Sequence, residues 1–221
     1  MTDERIPAPP SGDRTITAMK VQKKNKERVN IFLDDKYAFA VGILTAATLR
    51  KGQVLSAAEV ADLRDEGDRN KAYHQALRFL GYRPRSVSEV TRYLKGKEYA
   101  EGLIADVTAQ LAREGYLSDE EFARFWVENR LRFRPRSARA LRYELRQKGV
   151  DPAAVDAVLQ GMDEAEAAWD ALQPKLAGWS NLDPDRFRQK AMGLLSRRGF
   201  SYGIARTATD RAWDELENPP D

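Results

Sequence analysis

The chain predicts a mainly α fold, with three tandem three-helix repeats behind a small N-terminal antiparallel β segment. Three observations carry that expectation. Arg-Pro-Arg-Ser occurs at 83–86 and again at 134–137, an offset of 51 residues. Each copy opens the same apolar stripe, Val87, Val90 and Leu94 against Ala138, Leu141 and Leu145, and a fixed offset of this kind signals an internal structural repeat. Period-two alternation is confined to the first part of the chain, and helix start and stop signals recur from residue 56 onward.

The elements follow in order. Residues 1–13 are rich in Pro, Ser, Gly and charge, a composition expected to be disordered. Residues 14–55 form a small β-rich domain. Ile16, Ala18 and Lys20 alternate with Thr17, Met19 and Val21, and Val29, Ile31 and Leu33 alternate with Asn30, Phe32 and Asp34. A polar connection, 23–28, separates these runs, and Tyr37–Val41 follows the turn-like Asp34-Asp35-Lys36. Three or four strands bury little by themselves, so residues 43–49 are expected to cover them as a helix.

A linking helix is expected over 56–68, then three repeats at 69–117, 118–162 and 163–217. The first repeat has helices near 69–80, 86–97 and 100–114, and the second near 119–133, 137–148 and 152–161. The third has them near 163–178, 184–198 and 201–216. Ser56-x-x-Glu59, Ser86-x-x-Glu89 and Ser118-x-x-Glu121 read as capping boxes. Asp151-Pro152 and Asp183-Pro184 place an acidic cap before a first-turn proline. Gly115, Gly149 and Gly199 stand where a helix end needs a left-handed residue. Aligning Lys148-Gly149-Val150 with Arg198-Gly199-Phe200 sets Leu145 on Leu195 and Leu141 on Ala191, so the third repeat keeps the pattern more loosely.

Composition narrows the function. With no cysteine there is no disulfide, thiolate metal site or cysteine nucleophile. The single histidine, His74, offers no partner for a histidine metal site and is expected to be structural. No phosphate-binding loop or Gly-x-Ser-x-Gly motif occurs, so no enzyme activity and no cofactor are expected. The acids Asp62, Asp65, Glu66 and Asp68 read as a solvated helical stretch. No apolar run approaches a membrane span and no signal-type apolar segment opens the chain, so no membrane association and a cytoplasmic address are expected. A monomer is the expected state.

The net charge of +3 hides a segregation: Arg130 to Lys148 holds eight basic residues against the one acid Glu144, and Asp151 to Asp170 holds six acids and no base. Arg139, Arg142 and Arg146 share one face of a helix whose other face carries Ala138, Leu141 and Leu145. The predicted binding track is Arg83, Arg85, Arg92, Lys95 and Lys97 in the first repeat. In the second it is Arg132, Arg134, Arg136, Arg139, Arg142, Arg146 and Lys148, and in the third Lys190, Arg197 and Arg198. Guanidinium forks suit phosphate and carboxylate alike, so this track fits DNA or an acidic protein surface. The basic connection 23–28 is a weaker candidate of the same kind. Phe122, Phe125 and Trp126 read as core, Tyr116 and Leu117 as a hydrophobic lock on the preceding turn, and Trp169, Trp179 and Trp213 as packing anchors.

Residues 115–150 carry a family pattern. Gly115, Tyr116, Leu117, Asp119, Phe122 and Ala123 open it, and Leu141, Glu144, Leu145, Lys148, Gly149 and Val150 close it. The chain resembles the RecX family of recombination regulators over about residues 14–216, the β segment resembling an extension found in some members. That resemblance implies nine helices in three repeats, curved to lie in the groove of a RecA–DNA filament. It also implies a non-enzymatic regulator that binds RecA filaments and lowers strand exchange, ATP hydrolysis and coprotease activity, with weaker binding to single- and double-stranded DNA. The stiff Arg-Pro turns at 83–84 and 134–135 and the Ser201-Tyr202-Gly203 helix start depart from the family pattern. The alternatives are a sequence-independent DNA-binding protein acting without RecA, and a helical scaffold for some other protein.

Overall fold

The computed structural model describes residues 12–218; the disorder expected of 1–13 falls, but for residues 12 and 13, outside them. Three strands, β1 (Arg14–Val21), β2 (Arg28–Leu33) and β3 (Lys36–Gly42), precede a one-turn helix α1 (Ile43–Ala47) and a short strand β4 (Val54–Leu55). They form one antiparallel sheet in the order β3-β2-β1-β4. Asp34 and Asp35 make the two-residue β2–β3 turn with φ of 48° and 64°, the left-handed pair that matches strand twist in a tight hairpin.

From residue 57 the chain is helical. Helix α2 (Ala57–Leu80) is followed by α3 (Val87–Lys95) and α4 (Glu101–Arg113), then α5 (Asp119–Phe133), α6 (Ala138–Gln147) and α7 (Pro152–Leu159). The last three are α8 (Glu164–Trp179), α9 (Pro184–Arg197) and α10 (Tyr202–Glu217). The linking helix and the first repeat helix expected to meet at 68/69 are thus a single 24-residue helix. No proline interrupts the junction (Gly67-Asp68-Arg69-Asn70), and the cap-type residues there lie within the helix instead of ending it.

Contacts divide the chain into two compact units: one takes the chain up to Phe79 with Leu94–Leu111, the other Leu80–Tyr93 with the chain from Ala112. In the first unit Ile16, Ile31, Val41 and Leu55 bury one face of the sheet completely. The expected cover is only part of the lid: α1 contributes Ala46 while its Leu44 is 83% exposed, and α2 supplies Val60 and Leu63. Helix α2 approaches β3 so closely that a Cβ on Gly67 would lie 2.2 Å from the Ala40 carbonyl oxygen. Arg28, expected in a solvated basic loop, instead begins β2 and is buried, its Nη1 and Nη2 donating to the carbonyls of Gly67 and Ala40.

In the second unit Phe122, Val127, Leu141, Leu145 and Val155 form one cluster, and Trp169, Leu172, Phe187, Leu195 and Phe200 anchor another. Leu131 and Met162 pack against both. The repeat register holds, since Val90, Leu94, Leu141, Leu145, Ala191 and Leu195 all have no exposed surface. Two core expectations change: Phe125 lies on the exposed side of α5, and only Leu117 of the Tyr116–Leu117 pair is buried.

Candidate partner-binding surface

The twin Arg-Pro-Arg-Ser segments are joints before they are anything else. Helices α6 and α9 end alike. Gly149 and Gly199 take φ of 70° and 92°, and the amides of Val150 and Phe200 reach back to the carbonyls of Leu145 and Leu195. These two ends seat on the starts of the preceding middle helices. Ser86 Oγ donates to the Lys148 carbonyl at 2.7 Å, and the Ser137 amide donates to the Arg198 carbonyl at 3.2 Å. Both serines are buried, and each caps its own helix by accepting from Glu89 N or Ala140 N. The first amide of each middle helix meets an acid from the start of the next repeat: Val87 N donates to Asp119 Oδ1 and Ala138 N to Glu164 Oε1. Close seating requires glycine, because a Cβ on Gly149 would fall 2.5 Å from Ser88 Cβ and one on Gly199 2.7 Å from Ser137 Oγ.

Much of the predicted basic track is spent on this joint. Arg83 holds Glu89 with two hydrogen bonds, at 3.0 and 3.1 Å, and Lys148 reaches the same carboxylate at 3.1 Å. Glu89 therefore does not complete the expected capping box. Burial pushes its carboxyl up, but hydrogen bonds from Arg83 and Lys148 and their positive charge outweigh that and hold it below the usual range. Lys148 and Arg130 lie over the Trp126 ring at 5.0 and 4.5 Å. Glu144 accepts from Trp126 Nε1 at 2.8 Å and Arg130 Nε at 2.7 Å, and pairs with Arg136 at 2.8 Å. The lone acid of the basic run is thus the hub of a half-buried network that runs from one Arg-Pro-Arg-Ser to the other. Arg198 donates to the Pro135 carbonyl, and burial, then the nearby Arg134 and Arg136, lower its pKa; burial and Arg83 do the same to Arg85.

The remaining candidates separate by partner. Arg142 pairs with Asp156 at 3.0 Å and Lys95 with Glu101 at 2.7 Å, both at exposed positions. Lys97 is exposed in the turn just past the first middle helix. Arg92, Arg132, Arg134, Arg139, Arg146, Lys190 and Arg197 are exposed with no carboxylate within 4.0 Å among the described residues. Of these, Arg139 makes a long contact to the Gly199 carbonyl, and Arg132 lies over the Phe133 ring at 5.2 Å. Sequence reasoning missed two aromatic residues. Tyr82 and Phe133 directly precede the two motifs and are 79% and 68% exposed, so the repeated unit is aromatic-Arg-Pro-Arg-Ser, legible at the same 51-residue offset. The described residues contain no group of three metal-ligating side chains and no helix long and apolar enough to cross a membrane.

Comparison with known proteins gives matching results along the chain. The model for the regulatory protein RecX N-terminal domain matches residues 14–56, and those for the first, second and third three-helix domains of RecX match 72–111, 118–159 and 163–209. A regulatory protein RecX of Bacillus subtilis strain 168 is 36% identical over 211 residues, covering 93% of this chain and 79% of that protein. One from Listeria welshimeri is 31% identical over 207 residues, covering 91% and 77%. A crystal structure of a regulatory protein RecX superposes with a TM-score of 0.68 at 27% identity, covering 89% of this chain and 99% of that one. The RecX structure from Lactobacillus salivarius, at 22% identity and a TM-score of 0.58, shares the fold.

Proposed function

The chain belongs to the RecX family of regulatory proteins, and from that premise we propose that it binds the groove of the RecA nucleoprotein filament and restrains it without catalysing a reaction. The observation that carries this reading is the division of the cations. Arg83, Arg136 and Lys148 are consumed in the joint, whereas Arg92, Arg139, Arg146, Lys190 and Arg197 project from the three middle helices without an internal carboxylate. Cations on rigid helices, recurring in every repeat, suit a partner that is itself periodic and negatively charged. Spanning neighbouring protomers, the protein would block duplex entry and hinder the rearrangement coupled to ATP turnover, lowering recombinase, ATPase and coprotease output and so tuning DNA repair and the SOS response. The test is the single-strand-dependent ATPase of RecA from the same organism with the purified protein added. Inhibition at stoichiometric ratios supports the reading, and full activity rejects it.

A second reading, direct sequence-independent DNA binding without RecA, is favoured by one feature. Phe133 and Tyr143 are exposed beside Arg132, Arg134 and Arg146, the pairing of open rings and cations on which single strands stack. It expects RecA-free binding whose log–log salt slope on duplex is about −0.9 per phosphate contact. Replacing Arg139, Arg142 and Arg146 together by Ala separates the two: loss of DNA binding with RecA inhibition intact assigns that face to DNA.

A further inference from the structure

The first unit holds a cavity of about 640 Å³ walled by β3, the start of β2 and one flank of α2. Helix α2 presents Arg64, Lys71 and Arg78 to it at seven-residue steps, each advancing ~10 Å along the axis on one face, so the three cations form a row. Arg28 adds a fourth charge at the floor, with two of its five N–H groups committed to the Gly67 and Ala40 carbonyls. Asp68 is the sole carboxylate among the described lining residues. This is not the mixed charge of a solvated helix face, because the acids of α2 are sorted away: Glu59, Asp62, Asp65 and Glu66 lie outside the cavity wall. Opposite the row stand Tyr37, half-exposed and steadied edge-on by Phe32 at 6.0 Å, and Asn25, whose Oδ1 accepts from Glu27 N and leaves its amide nitrogen to donate.

We propose that this cavity binds a nucleoside phosphate, with the phosphates between Lys71 and Arg78, the sugar hydroxyls on Asp68 and the base against Tyr37. Each assignment follows from chemistry. Guanidinium and ammonium donors match phosphate oxygens, an isolated carboxylate accepts from a hydroxyl pair, and an open ring stacks a base. The volume lies in the range of small-molecule sites, and a bare phosphate would leave most of it unfilled.

Calorimetry on the full chain with adenosine triphosphate tests this. The expected result is saturable one-to-one binding, weakened about tenfold or more by Lys71→Ala with Arg78→Ala and kept by Lys71→Arg. Both residues are exposed, so the fold should survive, as circular dichroism would verify. Inorganic triphosphate and adenosine should each bind more weakly than the nucleotide. No nucleotide binding, or equal affinity for inorganic triphosphate, overturns the proposal. A 5′-phosphorylated tetranucleotide separates the sources: tighter binding than the mononucleotide through the same residues overturns a free-nucleotide site. The Arg139→Ala, Arg146→Ala variant should bind nucleotide unchanged, and a parallel loss there would reduce the effect to bulk charge and overturn the site.

Discussion

At the scale of single residues, two carboxylates decide how the basic chain holds together. Glu144 serves Arg130, Arg136 and the Trp126 indole at once, and its side chain is only 14% exposed. Removing it leaves two part-buried guanidinium groups and an indole N–H unpaired. Glu144→Ala should therefore cost about 2 kcal/mol in urea unfolding, between the values for exposed and fully buried pairs. Glu144→Gln, which can still accept from the indole, should cost less. Glu89 gives a pH signature. Its folded pKa is depressed, so its contribution is complete above the ordinary carboxylate pKa of about 4.3 and is lost as pH falls through the lower folded value. Stability measured from pH 6 downward should decline in that window, and Glu89→Gln should flatten the decline. The sequence marked Glu144 as the lone acid of a basic run but not its three partners, because those come from the preceding helix α5 and the turn between the two helices.

Among elements, the informative unit is a helix end against a helix start. Gly149 and Gly199 were legible as caps, but their second duty was not: each also lets a neighbouring middle helix approach within contact distance. Gly149→Ala should cost more than the ~1–2 kcal/mol of placing an L residue in the left-handed region, since its Cβ also meets Ser88. Gly115→Ala, with φ of 77° and open space around it, should cost only that strain, and thermal melts of the two variants measure the difference. The helices of all three repeats and the apolar stripes were readable because periodicity and caps are local. The continuous α2 was not: a polar, acid-rich stretch without a breaker gives no signal of where a helix stops counting as a linker. The fourth strand allowed for in the sheet could not be placed, because the two residues of β4 paired to β1 leave no alternation to detect.

At the scale of the whole molecule, the basic surface is smaller than the basic sequence. Substituting Arg92, Arg139 and Lys190, one per repeat, should leave the melting temperature within a degree or two, while Arg83, Arg136 and Lys148 substitutions should lower it. Differential scanning calorimetry of the two sets checks the division. The family pattern fixed the fold in advance, but which arginines face outward depends on distant carboxylates that periodicity does not reveal. The same geometry sets the third middle helix apart from the first two. A middle-helix end carries the negative pole of its helix and needs a buried hydroxyl or amide to sit on, which Ser86 and Ser137 supply. The third middle helix starts instead with the exposed carboxylate of Asp183, already occupied by its own Arg186 amide and side chain. A carbonyl brought to that side chain would meet like charge, so this helix start offers a chemistry opposite to that of the Ser86 hydroxyl, which donates.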